Sequence, residues 1–428
     1  VIRVPNDFPT IQGAVDAVDV TILRGPTDGV LIKVAAGIYS EHVLVQKSRI
    51  TIQGEPPRFL FDSTAGREVL VGGTIIDGAD LAPADDHVGV RPPGAPAVCT
   101  GVVEDVEFKN LGTRNPRSND ANFGVNAGCG TARRIHFKNV FVELRDDNAL
   151  RFARDGSGNL ILFPNPGPLG SCVNPSGGPL QFDPCSDGSA GFFEAVGVFL
   201  FGDVEDSTVE DSVVIGDDPR GNNALEGTNG KRAGFSAGFF DIGGQRNTFR
   251  NNSASNVWRG IQFSGNTDGL IAHSNFSETR VGIILRSALR ARAFNNAAQL
   301  SGNGSQPQDF PAPCPNDMVS FENRCFAGGG MWVRNSDGTP TSDSTMEGNQ
   351  LVNNQGAALY WGDESVAAPN ADNIVRFNSF AATFGTMTCD VRIGVPPALM
   401  CANSDSDAWM FDPAPVVSKN IFAKNKYQ

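Results

Sequence analysis

Basic residues recur at comparable places in the middle of the chain: Lys231 and Arg232, then Arg259, then Arg280 and Arg286. Each set lies beside a short run that begins with glycine and continues apolar. If those runs stack, some of the cations meet on one side. β-Elimination from a uronic acid needs a cation to neutralise the carboxylate and a base to take the C5 proton, and arginine or lysine can serve. Lys231, Arg232, Arg259 and Arg280 are therefore the candidate catalytic residues. Pairing with neighbouring acids such as Glu226, Asp241 and Glu278 is the competing role. Asp146 with Asp147, and Asp217 with Asp218, are carboxylate pairs near strand edges. Such pairs bind Ca²⁺, drive inverting hydrolysis at separations of roughly 6.5–9.5 Å, or stand as plain solvated corners. Asp85, Asp86 and His87, followed by Arg91, place either a base or weak metal ligand or, as the favoured reading, a plain flexible surface loop in a Pro-rich stretch. Trp332, Tyr360 and Trp361 offer aromatic faces on which sugar rings stack.

What positions these residues is a repeat. Over 248–296 the chain repeats with a period of 22 residues. Thr248-Phe249-Arg250-Asn251-Asn252 is answered by Leu270-Ile271-Ala272-His273-Ser274 and by Arg292-Ala293-Phe294-Asn295-Asn296. Gly260-Ile261-Gln262-Phe263 is answered by Gly282-Ile283-Ile284-Leu285. Two strand-like runs per short unit predict stacked coils, and the pattern reads as an all-β, single-stranded right-handed parallel β-helix, a solenoid with long loop insertions. Similar runs extend the pattern, including Gly197-Val198-Phe199, Gly238-Phe239-Phe240 and Gly330-Met331-Trp332. Asn251, Asn252, Asn295 and Asn296 suit tight corners, because asparagine tolerates left-handed backbone and its amide can bond the next coil. His273 takes a corner asparagine's place, and His136, between Ile135 and Phe137, faces outward. Loop insertions are expected at about 77–97, 111–130, 154–190, 217–235, 297–318 and 384–410.

At the front, Ile11, Ala14, Val15 and Val18 share one helical face behind Thr10 as cap, which predicts an amphipathic helix over the open end of the first coil. One domain is expected over 1–428: cap and first coils at 1–54, main coils at 55–380, and a C-terminal loop or tail at 381–428. The stretch 8–54, with Val30-Leu31-Ile32-Lys33-Val34 and Ile50-Thr51-Ile52-Gln53-Gly54, resembles the opening of the pectate-lyase-like β-helix superfamily. It is particularly similar to pectin methylesterases and to periplasmic carbohydrate-binding-type β-helix proteins, and Gly73-Thr74-Ile75-Ile76-Asp77-Gly78 is a phrase common in that superfamily. The resemblance implies the fold and an action on polysaccharide. No family's catalytic motif is intact: the methylesterase Asp motifs and the lyase Arg-x-Pro-x-x-Arg pattern are missing. Asn266-Thr267-Asp268 matches the first polygalacturonase triplet without its followers.

Eight cysteines fall into sequence-local pairs, Cys99 with Cys129, Cys172 with Cys185, Cys314 with Cys325, and Cys389 with Cys401. This predicts disulfides and a secreted, periplasmic or cell-surface location. The formal net charge of −13 makes nucleic acid an unsuitable partner, and no apolar run is long enough to cross a membrane as a helix. An acidic polysaccharide would be repelled on average unless bound cations or a basic patch reverse the field, which leaves Ca²⁺ as the one cofactor to consider. The glycine-led runs are apolar on both faces, as in Val198 with Phe199, Ile283 with Ile284 and Met331 with Trp332. A strand of that kind is covered on both faces, by an insertion, by the tail, or by another chain. Two functions follow as expectations: an exported protein that binds or acts on extracellular polysaccharide, by uronate lyase or epimerase chemistry ahead of hydrolysis, and a non-catalytic assembly subunit that uses the apolar sheet against another chain or its own copy.

Overall fold

In this computed structural model the described residues are 1–428 except 24, 26–27, 64–66, 79–80, 82–86, 96–97, 115–121, 129, 145–194, 217–236, 300–328, 336–338, 355–356, 363–369, 382–390, 394–399, 403–419 and 428. They are nearly all strand, and the strands pair in parallel. The antiparallel pairs among them are the hairpin of Arg58–Asp62 with Arg67–Gly72 and two short pairings, Gly94–Ala95 with Val98–Cys99 and Val391–Ile393 with Met400–Ala402.

The parallel strands form three ladders that the chain visits in turn. In the first, Ile2–Val4 pairs with Val30–Val34, and Thr248–Arg250, Leu270–Ala272 and Arg292–Phe294 pair in succession. The second runs from Gly37–Tyr39 and Thr74–Asp77 to Ser379–Phe380 and Lys426–Tyr427. The third begins with Val43–Val45 and Val88–Val90 and continues through Asn122–Gly128, Ala195–Phe201 and Ala237–Ile242. It then takes the second half of Ser253–Ser264 and of Asn275–Arg286, Gly329–Arg334 and Ala357–Gly362.

Period-two alternation along each strand sends one set of side chains inward. Phe249, Ile271 and Ala293 from the first ladder meet Ala254, Phe276 and Ala298 from the second and Phe239, Ile261 and Ile283 from the third in one continuous core. The glycine that opens each third-ladder run is a matter of space: a Cβ on Gly260 would stand 2.7 Å from the Cβ of Phe276. A side chain there would displace the core residue of the preceding ladder.

The corners are built as expected. Asn251, His273 and Asn295 hold φ of 55°, 53° and 52°. Their neighbours form a buried amide and hydroxyl ladder. Ser212 N donates to Asn252 Oδ1 at 3.0 Å, Asn252 N to Ser274 Oγ at 3.2 Å, and Ser274 N to Asn296 Oδ1 at 3.0 Å. Asn296 N continues it to Asn349 Oδ1 at 3.0 Å, and Asn349 N to Asn378 Oδ1 at 2.9 Å. Each amide satisfies a backbone group that the corner would otherwise leave buried and unbonded.

The helix Ile11–Asp16 carries Thr10 as its cap, with Gly13 N donating to Thr10 Oγ1 at 3.1 Å. Glu41 adds a second cap, accepting from Ile11 N and Gln12 N at 2.9 and 2.8 Å, where a carboxylate also suits the helix dipole. Ile11, Ala14, Val15 and Val18 are buried with Ile32, Val34, Val43 and Val45.

The insertion expected at 111–130 contains ladder strand instead. Residues 112–114 pair with residues 75–77, and Asn122–Gly128 pairs on both sides in the third ladder. The hairpin at 58–72 was not expected; it stacks Phe59 on Phe141 with ring centroids 4.9 Å apart. Each of the four cysteine pairs has at least one partner outside the described residues.

Candidate functional site

The outward side of the third ladder carries three rows in register. The central row is Phe199, Phe240, Gln262, Ile284 and Trp332. Two residues further along each strand lies the row Phe201, Ile242, Ser264, Arg286 and Arg334. On the other flank Ala237 is followed by Arg259 and Val281. Adjacent strands lie about 4.8 Å apart, so Arg286 and Arg334 are direct neighbours.

Arginine and aromatic groups are combined on this face. The Arg259 guanidinium carbon lies 5.5 Å from the Phe240 ring centroid, and that of Arg334 lies 4.6 Å from the Trp332 centroid. Stacking on a ring restrains the orientation of a guanidinium. Arg259 is 5% exposed, Gln262 3% and Trp332 8%. Gln262 Oε1 is buried and has no hydrogen-bond partner among the described residues. It is an acceptor set in a row that is otherwise apolar, and an acceptor so placed favours a donor from outside.

The central row is closed off within one chain, since Phe199, Phe240, Ile284 and Trp332 are buried with no second copy present. The doubly apolar strands therefore need no partner chain to cover them. Trp361 points the other way, into the core, where its ring meets Phe422 edge-on at 5.3 Å. Of the aromatic residues singled out for sugar stacking, Trp332 is on the outward face; Tyr360 is in register with it, as strand backbone.

Of the cations, Arg259 stands on this face. Arg280 lies in the strand Asn275–Arg286, with its side chain undescribed. Lys231 and Arg232 fall outside the described residues, as do Asp146, Asp147, Asp217 and Asp218. Among the described residues no group of three or more His, Cys, Asp or Glu side chains is arranged to hold a metal ion, and no helix is long and apolar enough to cross a membrane.

Other acids have structural partners. Asp268, the acid of the Asn-Thr-Asp triplet, bonds Arg290 Nε at 2.7 Å across one coil, and that guanidinium holds its carboxyl below the ordinary range. Arg134 with Asp105 and Arg246 with Asp206 repeat this corner pairing. Glu210 is a denser knot, missed in the sequence because its partners lie on neighbouring coils. It accepts from His136 Nε2 at 3.1 Å, Lys138 Nζ at 2.7 Å and Arg250 Nε at 2.6 Å. Burial pushes its carboxyl up, and the bonds from Lys138 and Arg250 outweigh that, holding it down at about 2.

Asp241 does not pair with a cation in the way its sequence neighbourhood suggested. It occupies an inward position between Leu200 and Phe263, is 0% exposed, and accepts from Asn247 Nδ2 at 3.0 Å. Burial raises its carboxyl to about 7 against the hydrogen bonds that favour its charge.

No protein-family model matches the chain, and no curated protein matches it. Among solved structures the chain is similar to an alginate lyase from Paenibacillus sp. str. FPU-7, at 12% identity over 88% of this chain and 95% of that one, with a TM-score of 0.39. It is similar to a DFA-IIIase from Arthrobacter chlorophenolicus A6 without its lid, at 12% identity over 96% and 91%, with a TM-score of 0.40. It is also similar to the catalytic domain of a GH87 alpha-1,3-glucanase in complex with nigerose, at 11% identity over 92% of this chain and 61% of that one, with a TM-score of 0.44.

Proposed function

We propose that the chain is an exported, single right-handed parallel β-helix of the pectate-lyase-like kind, and that the outward face of its third ladder binds a uronate-containing polysaccharide for lyase or epimerase chemistry. The observation that carries the reading is the combination on one face of ring-stacked arginines with the buried, unbonded acceptor of Gln262. Each part matches a different part of such a sugar. Successive sugar units lie along the partly exposed row Phe201, Ile242, Ser264 and Arg286, with Phe201 against a C–H face and Arg286 at a carboxylate, while the buried central row with the Gln262 carbonyl forms the floor beneath them.

The chemistry follows from the carboxylate. Taking the C5 proton leaves a carbanion whose charge spreads into the adjacent carboxylate, and a guanidinium aimed there is worth more in that transition state than in the ground state. In elimination the C5 proton passes to a base, the C4–O bond breaks, the departing oxygen takes a proton and a C4–C5 double bond forms. In epimerisation the proton returns from the opposite face. Arg286, on the partly exposed row, is assigned to the carboxylate, with the buried Arg259 and Arg334 adding positive charge beneath it; Lys231, Arg232 and Arg280 are the candidates for the base.

Affinity electrophoresis on gels containing polygalacturonate, alginate or a neutral glucan tests the binding. Retardation by a polyuronate that weakens in Arg286→Gln and in Gln262→Leu supports the reading. Equal mobility on polyuronate and neutral gels rejects it.

A further inference from the structure

His42 and His87 were not joined by the sequence, yet the third ladder makes them neighbours. They immediately precede Val43–Val45 and Val88–Val90, which pair in parallel with Val43 opposite Val88, and Val43 N donates to His87 O at 2.9 Å. The two imidazoles meet edge to face, with their Nδ1 atoms 3.3 Å apart.

We propose that His42 and His87 form a two-histidine site for a borderline-soft divalent transition metal, Cu²⁺ or Zn²⁺, bound through both Nδ1 atoms. Two imidazole nitrogens, each about 2.0–2.1 Å from a tetrahedral metal, stand roughly 3.3–3.4 Å from one another, which is the separation seen here without a metal. The tautomer is suited as well. His87 Nε2 is 3.4 Å from Ile76 O, a carbonyl that can only accept, so Nε2 carries the proton and the Nδ1 lone pair faces His42. A backbone carbonyl held by the far nitrogen is the usual outer support of a metal-bound histidine.

Two further features agree. His87 is buried, a setting that favours the neutral ring able to ligate. The Asp77 carboxylate acts on His87 from the neighbouring second-ladder strand and favours positive charge there, while Arg114 bonds Asp77 on its other side at 2.8 Å. His42 is only partly buried, which leaves the metal a way in and room for water to complete its coordination. A bound ion would tie the first coil of the third ladder to the second, next to the capping helix that packs on Val43–Val45.

The test uses the full chain, free of any histidine tag and stripped with chelator, titrated with Cu²⁺ and with Zn²⁺. Isothermal titration gives stoichiometry, and electron paramagnetic resonance of the Cu²⁺ form reads the number of bound nitrogens. One ion per chain is expected, bound more tightly for Cu²⁺ than for Zn²⁺, with superhyperfine structure from two nitrogens. His42→Gln, at the partly exposed position, is expected to remove that site while leaving the circular dichroism spectrum unchanged. His136→Gln is expected to keep it. No stoichiometric Cu²⁺ binding, or binding that survives His42→Gln, overturns the proposal. His87→Gln is a second check, read only if its spectrum matches that of the unsubstituted chain.

Discussion

Asp241→Asn isolates one electrostatic cost of this fold. The carboxyl sits in the core position that Leu200 and Phe263 fill on the neighbouring coils, and burial raises it to about 7. A carboxyl raised on folding adds stability that is fully present below its unfolded value near 4 and is lost as pH rises through about 7. A span of about three pH units at roughly 1.4 kcal/mol each sets a ceiling of about 4 kcal/mol, and relaxation around the new charge reduces it to about 2 kcal/mol. Asparagine keeps the shape and can still accept from Asn247 Nδ2 without ionising. For 428 residues the unfolding entropy is roughly 0.9 kcal/mol per degree, so the variant should melt about 2 °C above the unsubstituted chain at pH 8.5. At or below about pH 4 the two should melt together, with the gap opening between about pH 4 and 7. Differential scanning calorimetry of both proteins across pH 3.5–9 reads the difference directly, and all other titrating groups cancel. A pH-independent gap, or a variant that is less stable at pH 8.5, would refute the reasoning about this residue.

Other consequences can be checked with the same samples. Asn296 accepts from Ser274 N and donates to Ile271 O, both at 3.0 Å; Asn296→Ala strands both groups and should cost about 3 kcal/mol by urea denaturation. A loss under about 1 kcal/mol would mean that the corner ladder is ornamental. Glu210 is held down at about 2, so its contribution is present above an ordinary carboxylate value and lost as pH falls through 2. Glu210→Gln should cost about 2 kcal/mol at pH 7, a figure lowered because Lys138 and Arg250 are well exposed, and nothing near pH 2. An equal cost at both pH values would show that the knot acts through packing.

Much of this architecture can be read from the chain because its corners are chemically demanding. Left-handed backbone at Asn251 and Asn295 and the close approach behind Gly260 each exclude most residues, so the 22-residue spacing survives in the sequence. The capping helix shows for a similar reason: Thr10 and the spacing of Ile11, Ala14, Val15 and Val18 are local signals. Where coils lengthen, the signal lapses. The first-ladder step is 22 residues between Thr248 and Leu270 but 53 between Arg292 and Thr345, and strands such as Asn122–Gly128 then resemble insertion. The site was legible only in part. Arg259 and Trp332 stand out by type and spacing, whereas Arg334 gains meaning only once register sets it beside Arg286. The inward parity of Asp241 could have been read from Leu200, Phe263 and Leu285 at matching places after each leading glycine. His42 and His87 give no such cue, because a pairing across 45 residues is set by ladder register alone.

The most direct measurement is proton NMR of a polysaccharide panel of polygalacturonate, alginate and neutral glucans incubated with the protein, with calcium and with chelator. New C4–C5 alkene signals or inverted C5 signals are expected on a polyuronate, reduced at least tenfold in Arg259→Gln and Arg286→Gln with the fold intact. New reducing ends without alkene would contradict the elimination chemistry. Unchanged spectra across every polyuronate would contradict the central claim.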